Sequence, residues 1–354
     1  MKQYFFFIAI LIVSCSKSDT IPEVVQEDNF FRAADISFLP EIETTNTVFY
    51  NAINQPENVI SILKNSGCNA IRIRLWKNPS SGHSNLSEVK TLANRVKQAG
   101  MKVWLTVHFS DTWADPGAQI KPLEWQNLSF VDLKIAVSNY TSLILSEVQP
   151  DIFQIGNETN DGFIYPDGRL SINENQFLQL VQKVSTTIRS ESPTTKIMLH
   201  YAGIDSGANY FFDKVRGIDY DYIGLSYYPI WHGKMLSSVT NTINTLGQLH
   251  NKKVIIAETS YPFTLSYNDF TNNVVCNMNQ LIPSFPPTPQ GQKEFMFALK
   301  AAIKASPHGM GFGYWGTEWV AYRGNTATNG SSYENQAMWD FNNKALPILE
   351  VFRR

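Results

Sequence analysis

Cysteine is scarce. There are three in 354 residues, at positions 15, 68 and 276, and no CxxC pair. That count leaves room for at most one disulfide and argues against a disulfide framework. Charge is scarce too: Asp, Glu, Lys and Arg make up 17% of the chain, the net charge is −2, and no run of Lys or Arg occurs. Such a chain lacks the basic patch that nucleic acid or an anionic membrane surface would need in a main partner. HExxH is absent, and no second His stands at ligand spacing from His108, so a catalytic zinc site is not expected. No Walker loop and no EF-hand pattern occur. Gly224-Leu225-Ser226-Tyr227-Tyr228 is not GxSxG, which removes the nucleophile elbow. No GxGxxG follows the first apolar strand-like run, which leaves a doubly wound dinucleotide fold unsupported.

What is abundant is apolar and aromatic. Apolar residues are 43% of the chain, enough for a large core. Aromatics reach 13%, with eight Trp and fifteen Tyr. Most of these belong in a core, but flat rings also suit the apolar face of a sugar. At the N-terminus, Lys2 precedes the apolar run Tyr4–Val13, whose ten residues are too few to span a bilayer as a helix. Ile12-Val13-Ser14-Cys15 then resembles a bacterial lipobox. The expected organisation is a lipoprotein signal over 1–14, a lipidated Cys15 with a polar tether over 15–28, and one domain over 29–354. Such a protein would sit outside the cytoplasm, anchored to a bacterial membrane at the outer membrane or cell surface.

Beyond the tether, β-prone apolar runs alternate with helical patterns. The runs are Phe30–Phe38, Asn69–Trp76, Lys102–Phe109, Asp151–Ile155, Lys196–Tyr201, Asp221–Tyr227, Lys253–Ala257 and Met310–Trp315. Helical patterns cover Pro56–Ser66, Leu86–Ala99, Phe130–Val148, Glu174–Glu191, Asn209–Val215, Met235–His250 and Gln290–Ala305. Gly67 and Gly100 just past two of these, and Pro193 and Pro307 beyond two others, are helix stop signals. Eight strands alternating with helices predict a single-domain α/β fold, the (β/α)₈ TIM barrel. In that fold the chemistry lies where strands end.

Two strands end on a carboxylate: DIFQIGNE delivers Glu158 and KKVIIAE delivers Glu258. A carboxylate at the end of a buried strand loses water, a cost usually tolerated where the group works. Two of them at one sheet edge make a carboxylate pair, the equipment of glycoside hydrolysis. Arg72 and Arg74 alternate with Ile71, Ile73 and Leu75, so both Arg share a strand face that points into the barrel. A buried guanidinium needs carboxylates. For Arg74 the partner is either Glu258 or Asp35.

Several blocks together carry a family resemblance. They are FFRAADISFLPE (30–41), NAIRIRLWKNP (69–79), HFSDTWADP (108–116), QIGNETN (154–160), GLSYYPIWHG (224–233), AETSYP (257–262), GYWGTEWV (313–320) and SYENQAMWDFNNKALPIL (332–349). The sequence resembles glycoside hydrolase family 53, the endo-β-1,4-galactanases that cut type I arabinogalactan, from about Phe30 to the C-terminus. The resemblance implies a retaining mechanism without a cofactor, with Glu158 as acid/base and Glu258 as nucleophile. It places Asn157 at the sugar 2-hydroxyl, and His108 and Asp111 near the cleaved bond with Trp113 close by. Trp315 would floor the sugar at the cleaved bond, and Asp35, Arg74 and Trp231 join the contacts. A Tyr after strand six should bond the nucleophile: Tyr227 is favoured and Tyr228 stays open. Trp319 and Trp125 are expected to pack. The partner implied is β-1,4-galactan and the state a monomer. Other retaining β-glycanases of the same clan would share the Glu pair and Asn157 but not HFSDTWADP or GLSYYPIWHG. A surface glycan-binding lipoprotein would need no such pair. Some bacterial members hold a structural calcium after the nucleophile strand. The matching stretch here, LSYNDFTNN (265–273), has only Asp269 as an acid, although Glu334 or Asp340 could join it, so calcium is not expected.

Overall fold

Eight strands run in parallel and close on themselves: β1 (Phe31–Asp35), β2 (Ala70–Leu75), β3 (Lys102–Val107), β4 (Ile152–Ile155), β5 (Lys196–Ala202), β6 (Tyr222–Ser226), β7 (Lys253–Thr259) and β8 (Gly309–Tyr314). The computed structural model describes residues 1–3 and 29–354, so Cys15 and the polar tether lie outside the described residues. Nine helices occur among the described residues: α1 (Leu39–Ile42), α2 (Val59–Ser66), α3 (Leu86–Gln98), α4 (Phe130–Val148), α5 (Leu170–Glu191), α6 (Ser206–Lys214), α7 (Pro229–His232), α8 (Leu236–His250) and α9 (Pro289–Lys304). The (β/α)₈ barrel expected from the alternation is the fold observed.

Local chemistry explains the element ends. Asn85 caps α3 by accepting the Glu88 N–H, and Ser129 caps α4 by accepting the Asp132 N–H. Gly67 ends α2 in the left-handed region at φ 98°, where an added Cβ would lie 2.6 Å from the Phe352 carbonyl oxygen. The four-residue helices α1 and α7 were not foreseen, because one turn is too short to show a period. Helix α5 starts four residues before the expected Glu174, across a kink at Asn173.

Two apolar layers flank the strands. Ile71, Ile73 and Leu75 face the helices and are fully buried with them. Inside the barrel, Ala33, Ala70, Trp104, Ile152 and Met198 form a separate apolar floor. Two residues further along each of these strands come Asp35, Arg72, Thr106, Gln154 and His200. A period of two keeps them on the same inward face, about 6.6 Å nearer the C-terminal rim. The result is a polar layer stacked on an apolar floor. Strand β7 breaks the pattern. Its register against β6 shifts at Leu225/Ser226, which sets Glu258 opposite Ser226. Cys68 and Cys276 are both free thiols, the first buried and the second exposed. Among the described residues no helix is long and apolar enough to cross a membrane.

Candidate active site

The polar layer is tied together by Arg72. Its Nη1 donates to Asp35 Oδ2 at 2.7 Å, and its Nη2 donates to Glu258 Oε1 at 2.6 Å and to Asn157 Oδ1 at 2.9 Å. Asp35 and Arg72 are register partners on neighbouring strands, which makes this pairing local to the sheet. The Tyr228 hydroxyl donates to the other oxygen of Glu258 at 3.1 Å. Glu258 is therefore buried but held by a cation and a phenol.

Glu158 stands across the cleft in a different setting. Its Oε1 accepts a 2.5 Å hydrogen bond from Ser226 Oγ, and Arg72 spends its ion pairs on Asp35 and Glu258 instead. Its backbone lies in the left-handed region, at φ 48°. The backbone N–H donates to His200 Nδ1 at 3.2 Å, and its carbonyl accepts from Gln119 Nε2 at 3.3 Å. One carboxylate oxygen of Glu158, one of Glu258 and a ring nitrogen of His200 lie within 4.8 Å of one another. Both His200 nitrogens are already engaged, by Gln154, Glu158 and Ser226, which leaves no free imidazole lone pair for an ion.

The two carboxyl groups differ in proton affinity. Burial first, and then the charge of Glu258, raises Glu158 to about 8. Burial also raises Glu258, but there the Arg72 guanidinium opposes it. A proton shared by the pair therefore sits on Glu158, and Glu258 is the ionised member. His200 and His108 are both held well below the usual imidazole range, by burial and then by the nearby guanidinium groups, and stay neutral.

The cleft is about 350 Å³ and is lined by Trp113, Trp231, Trp315, Trp319, Tyr228 and Tyr333 around the carboxylates, together with Arg74, His108, Asp115 and Asn157. Trp113 is 38% exposed and Trp231 54%, so each offers a ring to solvent. Trp315 packs edge-on against Tyr333 at 4.5 Å. Asn157 Nδ2 donates to the Ala114 carbonyl at 2.9 Å, which orients the amide toward the cleft beside Glu258. His108 is buried under Trp113, with Nδ1 accepting from Trp76 Nε1 and from the Ala114 N–H, both at 3.2 Å. Trp125 is buried packing, as expected, whereas Trp319 lines the cleft while stacked on Phe38 at 3.8 Å.

Four expectations are corrected. Asp35, expected among the sugar contacts, does not line the cleft: it is buried below it, and its carboxylate accepts from Arg72 and Ser37. Arg74 pairs with neither Glu258 nor Asp35, because Arg72, one step deeper, takes both. Arg74 rises instead into an aromatic cage, with Phe38 at 4.5 Å, Trp76 at 4.3 Å and Trp113 at 4.2 Å from the guanidinium carbon, and it hydrogen-bonds Ser84. Burial without a carboxylate contact lowers it to about 10. The favoured Tyr227 is also displaced: its hydroxyl donates to the Gly233 carbonyl, and Tyr228 reaches the carboxylate. Ser226 faces the barrel, so the residue two further on shares its side. Asp111 does not line the cleft. Its carboxylate accepts the backbone N–H groups of Asn78 and Leu123, and Asp115 stands at the cleft instead.

Sequence reasoning missed His200, Ser226, Gln154 and Tyr333. The inward parity of β4, β5 and β6 marked the first three as barrel-facing, and Gln154 and Ser226 lie inside QIGNETN and GLSYYPIWHG, but only for His200 was polarity on that face the sole signal. In the loop after β7 the fold brings Glu334 to the Asp269 segment, where Glu334 Oε1 accepts the Asn268 N–H at 2.6 Å. Burial, and then the charge of Asp269, raises Glu334 against the opposing hydrogen bonds.

Comparison with known proteins agrees with this geometry. The sequence model of Glycosyl hydrolase family 53 matches residues 31–352. An arabinogalactan endo-β-1,4-galactanase of Cellvibrio japonicus is 33% identical, over 93% of this chain and 92% of its own. The family 53 catalytic domain of Ignisphaera aggregans superposes with a TM-score of 0.87 at 34% identity, covering 93% of this chain and 97% of that one. A fungal β-1,4-galactanase gives a TM-score of 0.80 at 28% identity, covering 92% and 99%. With the family model spanning nearly all of the barrel, and its carboxylate pair at the ends of β4 and β7, this chain belongs to glycosyl hydrolase family 53.

Proposed function

We propose that the protein is an endo-acting β-1,4-galactanase that cleaves type I arabinogalactan with retention of configuration. One observation carries the mechanism: carboxylate oxygens of Glu158 and Glu258 lie within 4.8 Å, in environments that separate their proton affinities. Retaining glycosidases keep their carboxyl groups roughly 5–5.5 Å apart, whereas inverting ones leave roughly 6.5–9.5 Å for a water. Glu158, protonated, donates its proton to the glycosidic oxygen as the bond from that oxygen to C1 breaks. Glu258, ionised, forms the new bond to C1. Glu158, now a carboxylate, then takes a proton from water as the water's oxygen displaces Glu258 from C1. Asn157 faces the 2-hydroxyl, and the indole rings of Trp113, Trp231 and Trp315 bind sugar faces. His108 and Arg74 support Trp113 from below, and Asp35 acts through Arg72 on Glu258. The bond making and breaking use protein carboxylates and need no cofactor.

The same reading extends to location. The lipobox at Cys15 supports an exported protein tethered to a bacterial membrane at the cell surface, and we read it as a monomer. The deciding experiment is a product time course on debranched galactan beside mannan, xylan and cellulose, with proton NMR of the first anomer. Galactan alone should be cut internally, and the β-anomer should form first. An initial α-anomer would refute the retaining pair.

A further inference from the structure

Five side chains run from the barrel floor to Glu158, and the chemistry of the first fixes the direction of all the others. Trp104 Nε1 is a donor and can be nothing else. It donates to Gln154 Oε1 at 3.0 Å. That end of the Gln154 amide is therefore the oxygen, and the Thr106 hydroxyl donates to it as well, at 3.2 Å. The NH₂ end donates to the Gly156 carbonyl at 3.0 Å and to His200 Nδ1 at 2.9 Å. A second donor, the backbone N–H of Glu158, also points at Nδ1. Nδ1 thus carries no proton, and the neutral ring must carry it on Nε2. From there it donates to Ser226 Oγ at 3.0 Å. Ser226 has one hydrogen, its oxygen is already accepting from His200, and the hydrogen goes to Glu158 Oε1 at 2.5 Å.

On the reading of Glu158 as the acid, we propose that His200 and Ser226 are positioning residues that confine the catalytic proton to Glu158 Oε2, the oxygen left free for the substrate. If His200 held its proton on Nδ1, Ser226 would donate to Nε2 instead. Oε1 would then have to point its own proton at Ser226, away from the sugar. Gln154 and the Glu158 backbone exclude that arrangement from two sides. The chain is polar throughout and stays so across the working pH range, because burial and then Arg72 keep His200 neutral. The titratable groups facing Glu158 are Glu258 from β7, Arg72 from β2, Asp115 after β3, His200 from β5, Tyr228 after β6 and Tyr333 after β8. Ser226 lowers the proton affinity that burial and Glu258 raise.

Two measurements test this. Nitrogen-15 NMR of the unmodified protein labelled at histidine, assigned by comparison with His200→Gln, should show His200 as the Nε2–H tautomer with no titration between about pH 5 and 9. An Nδ1–H tautomer or an imidazolium would overturn the proposal. In Ser226→Ala, galactan kcat should fall about 10- to 100-fold, and the basic limb of kcat/KM should move up by about one pH unit. An activated aryl galactoside should lose much less, and Ser226→Thr, which keeps the hydroxyl, should restore the limb. A role in packing alone would lower kcat without moving the limb, and that result would overturn the proposal. Glu158→Ala separates this from the underlying reading. A loss confined to galactan supports both. Equal losses on the two substrates would overturn the acid assignment, and with it the purpose of the chain.

Discussion

Replacing Glu258 with Gln removes one charge from the pair and keeps its shape. Carboxylate oxygens of the pair lie within 4.8 Å. At an effective dielectric of about 20, two unit charges at that distance repel by about 3.5 kcal/mol. That corresponds to about 2.5 pKa units. Burial, the larger cause of the raised Glu158 value, remains in the variant, and so does Arg72. Glu158 should therefore fall from about 8 by about one to 2.5 units, landing between about 5.5 and 7. The assay is carbon-13 NMR of protein labelled at the Glu side-chain carboxyl carbon, titrated in both forms, with Glu158→Ala assigning the resonance. The linked stability has a definite sign. A carboxyl raised in the folded state favours folding below its unfolded value, and that contribution is lost as pH rises from about 4.5 through about 8. In Glu258→Gln the loss should end at lower pH. A shift under about half a unit would refute the reasoning, because the two carboxylates would then not be coupled by charge.

The tyrosines after β6 offer a direct contrast. Tyr228→Phe removes the phenol that donates to Glu258 and should lower kcat about 10-fold or more, whereas Tyr227→Phe should leave kcat near normal and cost about 1 kcal/mol in denaturant melts. Burial, and then the charge of Asp269, raise the proton affinity of Glu334, which disfavours the doubly charged pair a divalent ion would need, so melting curves in chelator and in millimolar calcium should overlay. A rise of several degrees with calcium would show that the pair holds an ion. Cys15→Ala should leave specific activity unchanged and release the protein from sedimented membranes. Continued sedimentation of that variant would count against the anchor.

The barrel was legible because its eight apolar runs are separated by well-signalled helix ends, and α4 falls on the residues its pattern predicted, Phe130–Val148. The two Glu were legible because a carboxylate closing an apolar run is costly and therefore conspicuous. What sequence could not supply was height. Arg72 and Arg74 share a face, and only the register of β1 against β2 shows that Asp35 meets the deeper one. Tyr227 and Tyr228 differ by one residue, and which of them meets the nucleophile position depends on the register shift that sets Glu258 opposite Ser226. Asp111 and Asp115 lie in one loop, whose path depends on backbone contacts with the segments around Asn78 and Leu123. His200 lies outside every block that carries the resemblance, and Ser226 lies inside GLSYYPIWHG without a role of its own. Their role comes from hydrogen-bond direction, which exists only once the strands are side by side.

The left-handed backbone at Glu158 sets activity against durability. A residue with a Cβ pays about 1–2 kcal/mol to stand in that region, and glycine pays almost nothing. The fold meets this cost at the one position where the reading above needs an acid. Glu158→Gly would relieve the backbone and remove a buried carboxyl together, so the inactive protein should outlast the active one on heating. A search for heat-stable variants that does not also select for turnover would drift toward that loss. Stabilisation that keeps turnover has to leave Glu158 and its backbone in place, because there the strain comes with the acid. It has to act at other positions, among them the other non-glycine residues in the left-handed region, such as Phe109 and Ile164.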